Sequence, residues 1–246
     1  MSTELLSIIV PVYNEVATVR TVVERLLSID LPIAREIVVI DDGSTDGTRE
    51  VLARFRTDAS ADRLDTGGSA PVTVLFAERN GGKGSAIRRG LERAKGTIVA
   101  IQDADLELDP QQLGELVTPI LSGRAKVVYG SRFLSGPSGA PWMTVTANRV
   151  LTGITNLLYG SRLTDMETCY KVMRTDVARS LRLTANRFDI EPEITARLLR
   201  KGHQIHEVPI RFDARSRAEG KKIGWRDGVR ALHVLATERL RTKEHR

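Results

Sequence analysis

The chain of 246 residues has a single cysteine, Cys169, so no disulfide can form within it. That fits a reducing, cytoplasmic compartment. Aromatic residues make up only 4%, too few for the stacking platforms of a single-strand nucleic-acid binder. No apolar run approaches the ~20 residues that cross a bilayer. The opening Met1-Ser-Thr-Glu4 carries no basic segment, and the apolar run Leu5 to Val12 is broken by Ser7 and Pro11. It reads as a first strand and not as a signal peptide, so a soluble or peripheral protein is expected. The turn after that strand lacks Gly-x-Gly-x-x-Gly, which argues against a dinucleotide site.

What is present is ordinary in bulk and uneven in detail. Hydrophobic residues are 41% and charged residues 28% of the chain, as in a soluble globular protein with a substantial core. The net charge is +6, with its excess past Arg197, which predicts an anionic partner. Nucleic acid is not expected as that partner, because neither a basic recognition helix nor aromatic platforms are found.

Strand and helix alternate through the first half. Apolar runs at Leu6–Val10, Glu36–Ile40, Val72–Phe76, Thr97–Ile101 and Ala125–Tyr129 read as buried strands. Between them Val19, Val22, Val23, Leu26 and Leu27 recur at helical spacing, as do Ala86, Ile87, Leu91, Ala94 and then Leu113, Leu116, Val117, Ile120. Arg56 to Pro71 and Gly130 to Pro141 read as loops. Repeated βα units predict an α/β fold: a mostly parallel, Rossmann-like sheet flanked by helices, binding ligands at the strands' carboxyl ends. Past Ser131 the chain is expected to be mainly helical, with one short strand near Gln204 to Phe212.

The most informative stretch is Asp103-Ala-Asp105, at the end of the Thr97–Ile101 strand. Carboxylates at a sheet edge are rarely left unpaired. Mg²⁺ or Mn²⁺, completed by substrate phosphates, is the usual remedy. Asp109 and Pro110 read separately, as N-cap and first residue of the next helix. Each other early strand also ends in polar or turn residues: Pro11-Val-Tyr-Asn-Glu15, Asp41-Asp-Gly-Ser44, and Glu78-Arg-Asn-Gly-Gly-Lys-Gly84. The last is no P-loop, since Gly84 stands where Ser or Thr belongs and Ala77 where the first glycine belongs. It would still bring Lys83 and backbone N–H groups toward a diphosphate at a helix start.

Val10-Pro-Val-Tyr-Asn-Glu15, Asp41-Asp-Gly-Ser-Thr-Asp46, Asn80-Gly-Gly-Lys-Gly84 and Asp103-Ala-Asp-Leu-Glu107 together resemble the motif series of the family 2 inverting glycosyltransferases, with the GT-A fold. Tyr129-Gly-Ser-Arg-Phe133, Thr164-Asp-Met-Glu-Thr-Cys-Tyr-Lys171 and Phe212-x-x-Arg215 with Gly220-Lys-Lys-Ile223 resemble the polyprenyl-phosphate (dolichyl-phosphate) sugar synthase branch. The resemblance implies one GT-A domain, with a nucleotide-sugar half at 1–130, an acceptor half at 131–223 and a basic amphipathic helix at 224–246. It implies a UDP- or GDP-linked donor held by Pro11, Tyr13, Glu15, Asp42, Lys83, Asp103 and Ala104, and a metal held by Asp103, Asp105 and Glu107. It places Arg132, Arg149, Arg215 and Lys222 on the acceptor phosphate. Glu107 stands where mannosyl members often have Gln, and relatives' transmembrane appendages are missing, which implies a membrane-embedded partner subunit.

The chemistry divides on the acceptor. A lipid phosphate is already anionic and needs cations to hold it in line with the anomeric carbon, with no strong base. Asp105, Arg132 and Asp165 are the expected catalytic residues, Asp165 for a hydroxyl acceptor. A glycan or small-molecule hydroxyl needs a carboxylate base, and Asp165 or Glu167 would serve. Trp225, Val229, Leu232, Ala236 and Leu240, with arginines elsewhere on the same helix, suit a peripheral position at the cytoplasmic membrane face.

Overall fold

The computed structural model describes residues 4–55, 70–134, 136, 141–214 and 225–241. Residues 56–69 of the loop expected over Arg56 to Pro71 lie outside them, as do Arg215 and Lys222. Seven strands form one sheet: β1 (Leu5–Val12), β2 (Ala34–Asp41), β3 (Val72–Phe76), β4 (Ile98–Ile101), β5 (Val127–Ser131), β6 (Lys171–Arg174) and β7 (His206–Pro209). Their order is β3-β2-β1-β4-β6-β5-β7. β1 pairs in parallel with β2 and β4, β2 with β3, and β5 with β7. β6 alone runs antiparallel, between β4 and β5.

The helices are α1 (Val19–Ser28), α2 (Thr48–Ala53), α3 (Lys83–Arg93), α4 (Leu113–Leu121), α5 (Trp142–Tyr159), α6 (Thr175–Ser180), α7 (Ile190–Arg200) and α8 (Trp225–Leu240). Val19, Val22, Val23 and Leu26 of α1 are buried as their spacing predicts. The central strands carry apolar side chains on both faces, all of Ile98–Ile101 included, as a sheet covered on both sides requires. Asp109 caps a short 3-10 turn ahead of α4 and accepts from the Gln111 N–H at 3.1 Å, satisfying an otherwise orphan donor. In the second half α8 packs on α5 and α7. There Arg197 meets Glu238 at 2.8 Å in a buried ion pair, and the Tyr159 hydroxyl donates to the Leu235 carbonyl.

The sequence pattern missed β6, and β6 is what completes the functional edge. Because it runs against its neighbours, its start lies at the edge where β1, β2, β4 and β5 end. The segment leading into it, Thr164–Tyr170, is thereby delivered beside Arg132, which follows β5.

Candidate active site

At the β1 and β2 ends, short polar side chains fasten one loop to the next. Asn14, in the left-handed region at φ 52°, donates its N–H to Ser44 Oγ and accepts from the Thr45 N–H. The Glu15 N–H donates to Thr48 Oγ1, and Thr18 Oγ1 reaches both Glu15 Oε2 at 3.0 Å and the Ala104 carbonyl at 2.6 Å. Glu15 and Ala104 thus belong to one bonded edge, with Pro11 near the end of β1 opposite Ile40 and Tyr13 exposed beside it. Asp42 is buried, and its carboxylate accepts from the Gly81 N–H at 3.0 Å and the Gly82 N–H at 2.6 Å. Burial raises its pKa, against the pull of those two N–H groups. The carboxylate expected at a ribose or base therefore also shapes the glycine loop ahead of α3. Gly43, at φ +76°, lets the two loops touch: a Cβ there would stand 2.7 Å from the Arg79 carbonyl carbon and the Asn80 nitrogen.

Lys83 opens α3, but its ammonium turns inward. Nζ lies 2.8 Å from Asp103 Oδ1 and 2.7 Å from Glu191 Oε1, the latter in the first turn of α7. These bonds raise the Lys83 pKa well above its usual value although burial opposes the charge. Asp103, expected at the metal and the donor diphosphate, holds the Lys83 ammonium through its carboxylate.

The loop carrying Asp103, Asp105 and Glu107 is braced from beneath. Gln102, fully buried, donates through Nε2 to the Asp103 carbonyl at 3.0 Å and the Leu108 carbonyl at 3.4 Å. The Tyr170 hydroxyl stands 2.5 Å from Gln102 Oε1 and 2.9 Å from the Asp109 carbonyl. Between these anchors Leu106 takes φ 64°, a conformation L-residues adopt only when their surroundings impose it. Asp105 and Glu107 are half-buried on this loop, and the Glu107 N–H donates to Asp105 Oδ1 at 3.1 Å.

Among the described residues no three His, Cys, Asp or Glu side chains are close enough together to hold a metal unaided. Asp105 and Glu107 are nonetheless hard oxygen donors on the rim of the sheet's carboxyl edge. That donor set fits Mg²⁺ or Mn²⁺ held by one or two carboxylates, the remaining positions going to water and a ligand's phosphates.

On the opposite side of the edge, Arg132 and Asp165 face each other squarely. Arg132 Nε donates to Asp165 Oδ2 at 2.7 Å and Nη2 to Oδ1 at 2.8 Å, and the Arg132 backbone N–H adds a third bond at 3.0 Å. Asn148 of α5 donates to Asp165 Oδ1 at 2.9 Å. Glu207 on β7 accepts from the Thr164 and Asp165 N–H groups. Asp165 is completely buried, while the Arg132 side chain stays 14% exposed and lies 5.1 Å from the Phe212 ring centroid. Burial opposes the Arg132 charge, but the Asp165 bonds overcome it and its pKa rises. Arg149 is exposed on α5, 6.0 Å from the Phe133 ring centroid.

Glu167 behaves differently from its neighbours. Its Oε1 is buried without a hydrogen-bond partner, and burial, helped by the nearby Glu191 charge, pushes its pKa up to about 7. Cys169 is buried with its thiol pKa pushed up, first by burial, and packs as expected. Sequence reasoning found neither Glu191, Asn148 and Glu207 nor the bracing role of Gln102 and Tyr170. Glu191 arrives on α7, Asn148 on α5, Glu207 on β7 and Tyr170 just ahead of the antiparallel β6, all through tertiary packing.

The site's elements coincide with a known family. A model of "Glycosyl transferase family 2" matches residues 7–182. The undecaprenyl-phosphate mannosyltransferase of Micrococcus luteus is 31% identical over 239 residues, which cover 92% of this chain and 90% of that protein. The dolichol-phosphate mannosyltransferase of Pyrococcus furiosus is 28% identical over 222 residues; the match covers 89% of this chain and 59% of that protein. The fold matches glucosyl-3-phosphoglycerate synthase from Mycobacterium tuberculosis, solved with UDP, at a TM-score of 0.72 and 20% identity, covering 96% of this chain and 80% of that one. The same synthase has also been crystallised with Mn²⁺ or Mg²⁺ beside UDP. The shared fold is the GT-A arrangement expected from the sequence. On the family match and the Micrococcus relative together, the chain belongs to the family 2 glycosyl transferases.

Proposed function

We propose that this glycosyltransferase moves a hexose, with inversion, from a UDP- or GDP-linked sugar to the phosphate of a polyprenyl phosphate, with Mg²⁺ or Mn²⁺ at the donor diphosphate. The observation that carries the reading is the Arg132–Asp165 pair. Both carboxylate oxygens of Asp165 are taken up by Arg132 and Asn148, and the side chain is fully buried. It is placed to aim a guanidinium and not to accept a proton from a substrate. Arg132 keeps its Nη1 group and one Nη2 hydrogen for a phosphate oxygen. A phosphate acceptor needs this arrangement, because it attacks as an anion and must be held in line. Bound metal would neutralise charge growing on the leaving diphosphate. For a hydroxyl acceptor the remaining base is Glu167, whose Oε1 is turned into the protein.

The names of the Micrococcus and Pyrococcus relatives, both lipid-phosphate mannosyltransferases, support the acceptor class. The metal complexes of the structural neighbour support the cofactor. Arg149, Arg215 and Lys222 complete the proposed acceptor-phosphate group.

The same reading accounts for the surface of α5 and α8. Met143, Val150 and Leu157 recur every seventh residue on α5 and are exposed, with Trp142 beside them; Val229, Leu232 and Leu240 are exposed on α8. Arg149, Arg230, Arg239 and Arg241 are interspersed with them. An apolar stripe edged with arginines suits the interface of an anionic membrane, where a lipid acceptor is found. No helix among the described residues is long and apolar enough to span that membrane, so the proposed association is peripheral, with a membrane-embedded partner subunit as its extension. The test is a panel of UDP- and GDP-sugars incubated with a short polyprenyl phosphate and Mn²⁺, with Asp105→Ala as control. A lipid-linked sugar formed by the wild type alone supports the reading. Donor hydrolysis without lipid product rejects the acceptor.

A further inference from the structure

We propose that Glu191 is a positioning residue for the metal-binding carboxylates and acts on them through Lys83, an inference that rests on the metal-dependent reading above. Lys83 Nζ serves two carboxylates at once, Asp103 Oδ1 at 2.8 Å and Glu191 Oε1 at 2.7 Å. Asp103 alone would satisfy the ammonium's charge. Glu191 is nevertheless brought in, buried to within 6% of full coverage, with its Oε2 left without a hydrogen-bond partner. Keeping a buried carboxylate with an orphan oxygen is unfavourable, and packing alone gives no reason for a charged group at this position.

The charge balance supplies one. Asp103 and Glu191 together balance two buried ammoniums, Lys83, bonded to both, and Lys171, whose charge also bears on both. Asp103 lies two residues from Asp105, so loss of the Glu191 charge would leave net positive charge against the place proposed for a divalent cation. Such a charge across a half-buried edge is weakly screened. Removing the Glu191 charge would let Lys83 neutralise Asp103 outright, leaving the cation to Asp105 and Glu107. Removing the Lys83 charge would do the reverse and return Asp103 to full charge. The two ends of one ion triad therefore act on the metal with opposite signs.

The test is Mn²⁺ binding to the purified full chain, read from the paramagnetic resonance signal of free Mn²⁺, first alone and then with UDP or GDP. Glu191→Gln keeps an oxygen for Lys83 but loses the charge, and its Mn²⁺ affinity is expected to fall about tenfold. Glu191→Asp restores the charge and most of the affinity. Lys83→Met is expected to bind Mn²⁺ more tightly than wild type. A role in packing alone would weaken binding in both or in neither. If Glu191→Gln does not fold, the direction of change in Lys83→Met decides. Unchanged affinity in Glu191→Gln, or weaker binding in Lys83→Met, overturns the inference and leaves the metal-dependent reading standing. A wild type that binds no Mn²⁺ even with nucleotide overturns both.

Discussion

Arg132 and Asp165 are joined side-on, Nε to Oδ2 at 2.7 Å and Nη2 to Oδ1 at 2.8 Å, with the carboxylate fully buried and the Arg132 side chain largely buried at the sheet edge. A bidentate pair fixes the plane of the guanidinium as well as its position. Asp165→Asn is expected to break that orientation and leave a poorly paired buried cation, at about 3–5 kcal/mol of stability. Acceptor KM rises in this variant, while nucleotide binding measured by calorimetry stays near wild type. Loss of nucleotide binding in a folded Asp165→Asn would contradict the assignment.

Arg132→Ala removes the cation itself and leaves Asp165 without its main donor. With a phosphate acceptor, kcat/KM is expected to fall by roughly a hundredfold or more, the scale of deleting one positioned electrostatic contact. Arg132→Lys recovers little, because an ammonium cannot reproduce the two parallel bonds. Steady-state kinetics over a range of acceptor concentration make the comparison.

How much of this was legible beforehand depended on the range of the interaction. β1, β2 and β4 announced themselves through their apolar runs, and Asp103 and Asp105 through their place after one. β6 did not: Lys171-Val-Met-Arg174 is four residues long with a charge at each end. Lys171 tolerates burial there because its ammonium donates to the Met166 and Thr168 carbonyls. Without β6 the nearness of Asp165 to Arg132 could not be read. Nor could the sequence show that Lys83 faces Asp103 and Glu191, since the latter partner lies on a helix more than a hundred residues away and enters through tertiary packing.

The loop brace gives a third expectation. Tyr170→Phe deletes the hydroxyl beside Gln102 Oε1 and the Asp109 carbonyl; the latter keeps the Gln112 N–H, but the buried Gln102 Oε1 is left unpaired at about 1–3 kcal/mol. The loop holding Leu106 at φ 64° then relaxes, and Mn²⁺-dependent nucleotide binding weakens together with melting temperature. Unaltered Mn²⁺ dependence would show that the brace serves stability alone.

Glu167 predicts a pH dependence. Its pKa in the folded chain is about 7 against an ordinary value of 4.5, first because of burial and next because of Glu191. The folded state thus holds this proton more tightly than the unfolded state. Its contribution is complete below about 4.5 and is lost as pH rises toward 7. Urea denaturation at a series of pH values should show wild type losing stability relative to Glu167→Gln across that window. Parallel curves would refute the assignment.

The apolar stripe on α5 predicts that Val150→Glu with Leu157→Glu abolishes flotation with anionic vesicles. Both side chains are exposed, so stability should change by no more than about 0.5 kcal/mol. Turnover of a short, detergent-dispersed acceptor should persist.

The most direct test of the account compares two acceptors that differ in one group, a short polyprenyl phosphate and the corresponding polyprenol, with the same nucleotide sugar and Mn²⁺. If Arg132 holds an anionic nucleophile and Asp165 is no base, the phosphate alone yields a glycosylated lipid, and the product is a phosphodiester that mild acid cleaves. Glycosylation of the alcohol at a comparable rate would contradict the account, because it would require a base that the buried, fully bonded Asp165 does not provide.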